Sequence, residues 1–352
     1  MKGIEIQDLP TPFESKTGFP WTVGTEIVYH TFLPKITIIT PSYNQGEYIE
    51  ETIRSVLLQG YPNLEYMIID GGSTDRTIEI IKKYEKFLHY WVSERDKGQA
   101  DAINKGIEKA TGEVFNWLNS DDVYLPNTLL KVGGYFLDKK VDVLCGREIQ
   151  RNEETGEEFL THGTLVFENL EQTIAWAFCD QPPTFMRLDI VKNLGKLETC
   201  LHFCMDAELW VNYLTHFGLS KVKKADDVFN VFRLHKQAKS SSQVSIYYQD
   251  RFNILFALAQ SLKNITFPKQ FVHDNKFFDF YLDKKYNWLI KIDENLLSVH
   301  ISERLLNYHS QYMLMGSMLK IYFFILIRKP LGWSWRLYFA PLIKIKRWVR
   351  PL

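Results

Sequence analysis

Two adjacent carboxylates, Asp121 and Asp122, close a polar cluster, Asn119-Ser120-Asp121-Asp122, that follows directly on the apolar run Val114-Phe115-Asn116-Trp117-Leu118. Neighbouring acids in a turn at the carboxyl end of a strand can hold a hard divalent cation through oxygen, with a substrate phosphate completing the shell. A solvated turn with a helix cap ahead of Pro126 would need the same residues. What favours ligand chemistry is company: Asp70-Gly71-Gly72-Ser73-Thr74-Asp75 and Ser93-Glu94-Arg95-Asp96 follow two other apolar runs in the same way.

These loops need elements that place them side by side. Lys35 to Thr40, KITIIT, is a β-branched run suited to a buried parallel strand. Ile49, Ile53, Val56 and Leu57 then recur on one helical face. Tyr66 to Ile69 and His89 to Val92 read as further strands, separated by a helix through Ile78, Ile81 and Tyr84. A helix after Gly98 carries Ile103, Gly106, Ile107 and Ala110 on one face, and Thr111-Gly112 closes it. The alternation predicts an α/β fold, a doubly wound, mostly parallel sheet with right-handed crossovers, whose loops gather the aspartates at one edge. The loop after the first strand, Pro41-Ser42-Tyr43-Asn44-Gln45-Gly46, lacks the G-x-G-x-x-G of a dinucleotide fold and the Gly-Lys-Ser/Thr of a P-loop. Carboxylates and a metal therefore have to hold any nucleotide: aspartates accept from ribose hydroxyls or an imide N–H, and the cation neutralises a diphosphate.

The chain's 352 residues, 45% hydrophobic and 14% aromatic, are ample for a large core. Forty-two basic and 42 acidic residues cancel, so no overall pull towards nucleic acid arises. Eight of the basic residues lie from Lys320 onward with no acid among them, which leaves 34 basic against 42 acidic in the remainder. Cys145, Cys179, Cys200 and Cys204 lack paired metal-finger spacing and read as reduced core residues. The N-terminal stretch MKGIEIQDLPTPFES has acids and prolines where a secretory leader needs a basic start and an apolar run, so residence in the cytoplasm is expected.

The ordered set TPSYNQGEYIEETIRSVLLQ (40–59), IDGGSTDRT (69–77), SERDKGQADAINKGI (93–107) and NWLNSDDVYLP (116–126) resembles glycosyltransferase family 2, with its GT-A fold. The resemblance covers roughly residues 35–240. It implies that Pro41, Tyr43 and Asn44 lie against the nucleoside, that Asp70 holds the base or ribose, and that Asp96, Lys97, Gly98 and Asp101 form a second nucleotide-facing loop. Asn119-Ser120-Asp121-Asp122 stands where the family has its acidic metal motif. With Asn at 119, the ligand burden for Mn²⁺ or Mg²⁺ falls on Asp121 and Asp122, while Asn119 stays by the nucleotide. Gly71 likewise stands where a second aspartate is often found. Farther on, Gln181-Pro182-Pro183-Thr184-Phe185-Met186-Arg187 resembles the family's Q-P-x-x-F-x-R strand beside the sugars, and Met205-Asp206-Ala207-Glu208-Leu209-Trp210 its M-D-x-E-L-W stretch. The segment from Val228 to Ser240 resembles the closing R-x-H-x-x-x-x-S motif, which offers Arg233 or Lys239 to the diphosphate and His235 to the metal.

An inverting sugar transfer removes the acceptor hydroxyl's proton as the new bond forms, so one placed carboxylate suffices. Asp206 is the candidate base; Glu208, two positions along a helix, faces about 200° away. The family's chemistry implies a nucleotide-diphosphate sugar, expected UDP-linked, as donor, and a saccharide or lipid-linked saccharide of a surface polysaccharide or glycolipid as acceptor. A sugar nucleotidyltransferase and a non-catalytic nucleotide-sugar-binding protein on the same fold are the alternatives. The expected organisation is an N-terminal arm (1–34), a GT-A domain (35–242), a helical extension (243–312) and a basic aromatic tail (313–352). Trp333, Trp335, Tyr338, Phe339 and Trp348 among Lys and Arg suit an anionic membrane surface, which would make the protein peripheral on the inner face; an amphipathic helix packed on the domain is the other reading.

Overall fold

The computed structural model describes residues 4–13, 16–27, 32–239, 244–262, 282 and 284–309. β1 (Ile36–Ser42) is buried at every position, as a β-branched run covered on both faces requires. It lies parallel between β2 (Leu64–Asp70) and β4 (Val114–Trp117), and β3 (Tyr90–Ser93) pairs parallel with β2. The crossovers are α1 (Ile49–Leu57), α2 (Thr77–Tyr84) and α3 (Gln99–Lys109). Ile49, Ile53 and Val56 are fully buried, so the apolar stripe read from the sequence is the face of α1 that packs. α3 approaches β1 so closely that a Cβ on Gly106 would sit 2.5 Å from Ile39 Cδ1, a distance only glycine tolerates.

Beyond β4 the sheet becomes mixed. β8 (Thr184–Arg187) runs antiparallel to β4 and to β6 (Val143–Asn152), which lies parallel to β9 (Val222–Leu234). The two-residue β5 (Val123–Tyr124) pairs antiparallel with β9, and β7 (Glu158–Leu160) makes a charged hairpin with β6. The spatial order is β3-β2-β1-β4-β8-β6-β9-β5, with β7 beside β6. α4 (Thr128–Tyr135) and α6 (Leu188–Leu194) complete the elements packed near the sheet.

The chain divides into two compact units. The first comprises Met1–Leu165, Cys179–Leu209 and Ser220–Gln243 and contains the whole sheet. The second comprises Val166–Phe178, Trp210–Leu219 and the described residues from Val244 on, with α5 (Leu170–Trp176), α8 (Val244–Gln260) and α9 (Glu294–His309). α7 (Met205–Phe217) contributes Met205–Leu209 to the first unit and the rest to the second. In the second unit the Arg304 guanidinium lies 3.8 Å from the Trp176 ring centroid, and Arg251 Nη1 donates to the Ala177 carbonyl at 2.9 Å. Among the described residues no helix is long and apolar enough to cross a membrane. The basic aromatic tail 313–352, with its membrane-surface reading, lies outside the described residues.

Two buried charges fasten the first unit. Arg54 on α1 donates from Nε to the Pro20 carbonyl (3.0 Å), from Nη2 to that of Trp21 (3.0 Å) and from Nη1 to that of Pro10 (3.1 Å), which lays the N-terminal arm on the helix. At the opposite edge from the aspartate loops, Glu65 is fully buried at the start of β2. It accepts from Lys35 Nζ (2.7 Å), Thr37 Oγ1 (2.6 Å), Thr111 N (2.8 Å) and Thr111 Oγ1 (2.6 Å), tying β1, β2 and the end of α3 together. Burial alone would raise this carboxyl, but the donors from Lys35, Thr111 and Thr37 outweigh it and hold the pKa at about 2. Replacing Glu65 by Ala orphans several donors and should cost about 3 kcal/mol in urea unfolding at pH 7. A depressed carboxyl contributes stability that is present above its unfolded pKa and lost as pH falls towards the folded value. The Glu65→Ala deficit should therefore shrink between about pH 4.5 and pH 2; an equal deficit at pH 7 and pH 2.5 would contradict this assignment.

Candidate active site

The loops after β1 and β2 are sewn together. Asn44 adopts a left-handed backbone (φ 52°), which asparagine tolerates better than most side chains. Its N–H donates to Ser73 Oγ (2.7 Å), and its Oδ1 accepts from Thr74 N (2.9 Å). Gln45 N donates to Thr77 Oγ1 (2.9 Å) and Gly46 N to Asp75 Oδ2 (2.9 Å). Asp75 Oδ1 also accepts from Thr77 N (3.0 Å), so this residue both starts α2, as its sequence position suggests, and crosslinks the loops. Burial would raise the Asp75 carboxyl, but the bonds from Thr77 and Gly46 prevail and lower it. Pro41 is buried at the end of β1, whereas Tyr43 is 60% exposed, leaving an aromatic face open beside these loops.

Asp70 is fully buried and accepts from Gly72 N (3.0 Å), Ser73 N (2.9 Å), Ser73 Oγ (2.5 Å) and Ser93 Oγ (2.7 Å). Its oxygens are spent on shaping the loop. The carboxylate that stands nearer the surface there is Asp96, whose Oδ2 lies 2.7 Å from where a Cβ on Gly71 would be. Glycine at 71 thus makes room for Asp96, which gives a physical reason for the missing second aspartate. Burial raises the Asp96 carboxyl, with Asp101 and Asp70 adding to the rise, against a bond from Gly98 N and the charge of Lys105. Lys97 N donates to Asp101 Oδ2 (3.1 Å), so Asp101 serves the first turn of α3. Asn104 is buried and pairs both ways with Leu197 (2.8 and 2.9 Å), a packing role rather than a free helix surface.

The second cluster forms where β5 meets β9. Val123 pairs with Val231, and continuing that antiparallel register sets Asp121 and Asp122 against Arg233 and its neighbours. Asp122 is 1% exposed; Oδ1 accepts from Arg233 N (3.1 Å) and Oδ2 from Asn119 Nδ2 (3.1 Å). Burial and the adjacent Asp121 push its carboxyl well up, against the bonds from Arg233 and Asn119. Arg233 is itself buried. Its guanidinium donates to the Asp121 carbonyl, to Glu51 Oε2 (2.9 Å), to the Tyr48 carbonyl (3.3 Å) and to Thr52 Oγ1 (3.4 Å). Thr52 Oγ1 contacts the carbonyls of Ser120 (2.9 Å) and Asp122 (2.7 Å). Arg233 is therefore engaged within the chain rather than directed at a diphosphate.

Asp121 and His235 differ from these. The Asp121 side chain is 20% exposed, and its Oδ2 lies 3.2 Å from His235 Nε2. The His235 ring stacks on Tyr48 with centroids 4.1 Å apart and planes 26° from parallel. Among the described residues no set of three or more His, Cys, Asp or Glu side chains is arranged to hold a metal ion. The chemistry of Asp121 and His235 nevertheless fits a divalent cation that takes part of its shell from a bound diphosphate, since one oxygen of the partly exposed Asp121 and one imidazole nitrogen face each other. Asp122, with both oxygens in protein hydrogen bonds, fits that task less well.

A hydrogen-bond chain links these clusters to the segment before Asp206. Gln99 Nε2 donates to Asn119 Oδ1 (2.7 Å), and Gln99 Oε1 accepts from Lys239 Nζ (3.2 Å), which also donates to the His202 carbonyl and lies 5.0 Å from the Phe203 ring centroid. Asp206, partly exposed in the first turn of α7, accepts from Ala207 N (2.7 Å) and raises the nearby Cys179 thiol, for which desolvation is the larger cause. Glu208 is 1% exposed. Gln181 is held to β4 through Asn116 Oδ1 (2.7 Å) and the Trp117 carbonyl (2.8 Å), while Arg187 Nε turns to the carbonyl of Val141 (2.8 Å).

Tyr48, Glu51, Thr52 and Gln99 escaped the sequence reading, although all lie within stretches it singled out. Glu148 and Asp180 escaped it entirely. Burial raises both of these carboxyls, and the charge of Asp180 adds to the rise at Glu148. Asn230 Nδ2 donates to Glu148 Oε2 (2.9 Å) and Thr161 Oγ1 to Asp180 Oδ2 (2.8 Å). Burial pushes Glu148 up to about 9, with Asp180 and then Asp122 adding to the rise.

The fold and these clusters define a glycosyltransferase fold of the GT-A type. The structure aligns with that of Staphylococcus aureus TarS (residues 1–349, in complex with UDP-GlcNAc) at a TM-score of 0.51 and 18% identity, over 84% of this chain and 82% of that one. A mannosyltransferase from Pyrobaculum calidifontis, in complex with GDP-Man and Mn²⁺, aligns at 0.51 and 16% identity, over 94% and 91%. Residues 37–195 match the family model described as glycosyl transferase family 2. An uncharacterized glycosyltransferase of Nostoc is 27% identical over 68% of this chain and 75% of its own length. A putative teichuronic acid biosynthesis glycosyltransferase of Bacillus subtilis is 39% identical over 30% of this chain. Such stronger matches are confined to part of each relative, 43% of the B. subtilis protein and 38% of an uncharacterized glycosyltransferase of Rickettsia typhi that is 37% identical.

The Glu148–Asp180 pair sets a pH dependence. A carboxyl whose folded pKa is raised contributes stability that is present below the unfolded value and lost as pH rises towards the folded one. Wild-type melting temperature should therefore fall between pH 6 and pH 9, whereas Glu148→Gln, which can donate to an ionised Asp180, should show a flatter profile. Parallel profiles in differential scanning calorimetry would dismiss the raised Glu148 carboxyl as the cause.

Proposed function

We propose that this chain transfers a sugar from a nucleotide-diphosphate donor, expected UDP-linked, to a hydroxyl of a saccharide or lipid-linked saccharide, in one displacement that inverts the anomeric carbon. The observation that carries the reading is the pair Asp121 and His235, 3.2 Å apart and next to loops rich in aspartate at the carboxyl edge of the sheet. The family match over residues 37–195 supports the reaction class. The bound UDP-GlcNAc of TarS and the GDP-Man and Mn²⁺ of the mannosyltransferase support a nucleotide-sugar donor and a cation. The B. subtilis relative's association with teichuronic acid supports a surface polysaccharide as the acceptor class.

Each group then has a task. Asp121 and His235 would hold Mn²⁺ or Mg²⁺, which when bound supplies Lewis-acid stabilisation to the departing diphosphate. Tyr43 offers an exposed ring for the base to stack on. Asn44 and Asp70 fix the loop shape, and Asp96, less enclosed than Asp70, is placed to accept from ribose hydroxyls. Asp206 takes the acceptor's proton from the first turn of α7, where the positive end of the helix dipole favours a carboxylate. Asp122 holds Arg233 and Asn119 in place.

Calorimetric titration with UDP, GDP, CDP and dTDP, with and without Mn²⁺, tests the donor half. Manganese-dependent binding of one diphosphate is expected, with UDP the first choice, and Asp121→Asn or His235→Ala should weaken Mn²⁺ at least about 10-fold. Binding of none of the four would overturn the reading in favour of a scaffold on a transferase fold. For the chemical half, Asp206→Asn should bind the diphosphate as the wild type does yet lose about 10²–10⁴ in turnover, followed as donor-sugar hydrolysis. Turnover at the wild-type rate would remove Asp206 as the base.

A further inference from the structure

We propose that Tyr48 is the positioning residue for His235, and that face-to-face stacking does here what a second hydrogen bond usually does for a metal-binding histidine. This rests on the reading of Asp121 and His235 as the cation-holding pair. A ligating imidazole ordinarily donates its other ring N–H to a carboxylate or carbonyl, which fixes both tautomer and ring plane. His235 has no such support: its side chain is 3% exposed, and Nδ1 is buried without a hydrogen-bond partner among the described residues. What fixes the ring plane is Tyr48, stacked at 4.1 Å and 26°.

Tyr48 is itself held from the far end of the sequence. Arg233 Nη2 donates to its carbonyl (3.3 Å), and the guanidinium carbon lies 5.2 Å from the centroid of its ring. Glu51, one helical turn along α1, accepts from Arg233 Nη1 (2.9 Å), and Arg233 Nε donates to the Asp121 carbonyl. The contacts close a loop from Asp121 through His235, Tyr48 and Arg233 back to Asp121. A ring that tilted out of this stack would carry Nε2 away from Asp121 Oδ2, and the two donors would no longer face one ion.

The ring, and not the hydroxyl, should therefore matter. The test uses the full chain and Mn²⁺ itself, with free Mn²⁺ read by electron paramagnetic resonance in the presence of saturating UDP, alongside melting temperature. Tyr48→Phe should retain wild-type Mn²⁺ affinity, while Tyr48→Leu should lose about 10-fold or more at unchanged metal-free UDP affinity. If the leucine variant does not fold, Tyr48→Met keeps an apolar filling of similar reach without a ring face. A leucine or methionine variant that is less heat-stable but binds Mn²⁺ like the wild type would reduce Tyr48 to a packing residue and overturn the proposal. So would a phenylalanine variant as weak as the leucine one. Wild-type protein that takes up no Mn²⁺ with UDP would instead remove the cation reading itself, and the inference with it.

Discussion

Arg233 is the interaction on which the site depends. Its guanidinium is buried, and a buried cation is stable only when its hydrogen bonds are made and its charge is matched. It meets that requirement with Glu51 and with carbonyls from both Tyr48 and Asp121, while its backbone N–H serves Asp122. The start of α1, the turn after β4 and the end of β9 are thereby fixed relative to one another. Three segments separated by up to 185 residues in sequence meet at one side chain.

The carboxylates around this clamp fall into two kinds. Asp70, Asp122 and Asp75 have their oxygens taken by backbone and side-chain donors, so they set the loop shapes. Asp121 and Asp206, less enclosed and at the ends of elements, retain the access that ligand chemistry needs. A carboxylate with all its lone pairs satisfied inside the protein is a poor ligand, because a newcomer must displace bonds already made in a low-dielectric setting. Enclosure thus divides residues of one type into loop supports and acids that stay partly exposed.

Beneath them lies a polar layer that hydrophobic burial alone would not retain. Asn116 donates to the Pro182 carbonyl and to Tyr124 Oη, Gln181 bonds back to Asn116, Asn230 donates to Glu148, and Thr161 donates to Asp180. Such networks cost desolvation and repay it in geometric definition when nearly every member is satisfied. Here the definition is of β8 and the residues leading into it, which must hold Gln181 and Pro182 against the carboxyl end of β4.

Much of this was readable along the chain. The β-branched run at residues 35–40, the stripe Ile49-Ile53-Val56-Leu57 and the aspartate turns after each strand specify the parallel half, because period and turn chemistry are local properties. They also specify which loops share an edge, since right-handed crossovers leave little choice. The partnership of each side chain was not local. That Asp70 is consumed within its own loop follows from enclosure by Ser73 and Ser93, and that Arg233 is a clamp follows from β9 pairing with β5 and β6. Glu148 and Asp180 are isolated acids 32 positions apart in sequence, with no pattern to join them; only the packing of their strands and loops brings the two carboxyls near enough to act on each other. Sequence determined the elements and the edge where they present their acids, and tertiary structure decided which acids are enclosed, because hydrogen-bond satisfaction depends on neighbours that the chain brings together only when folded.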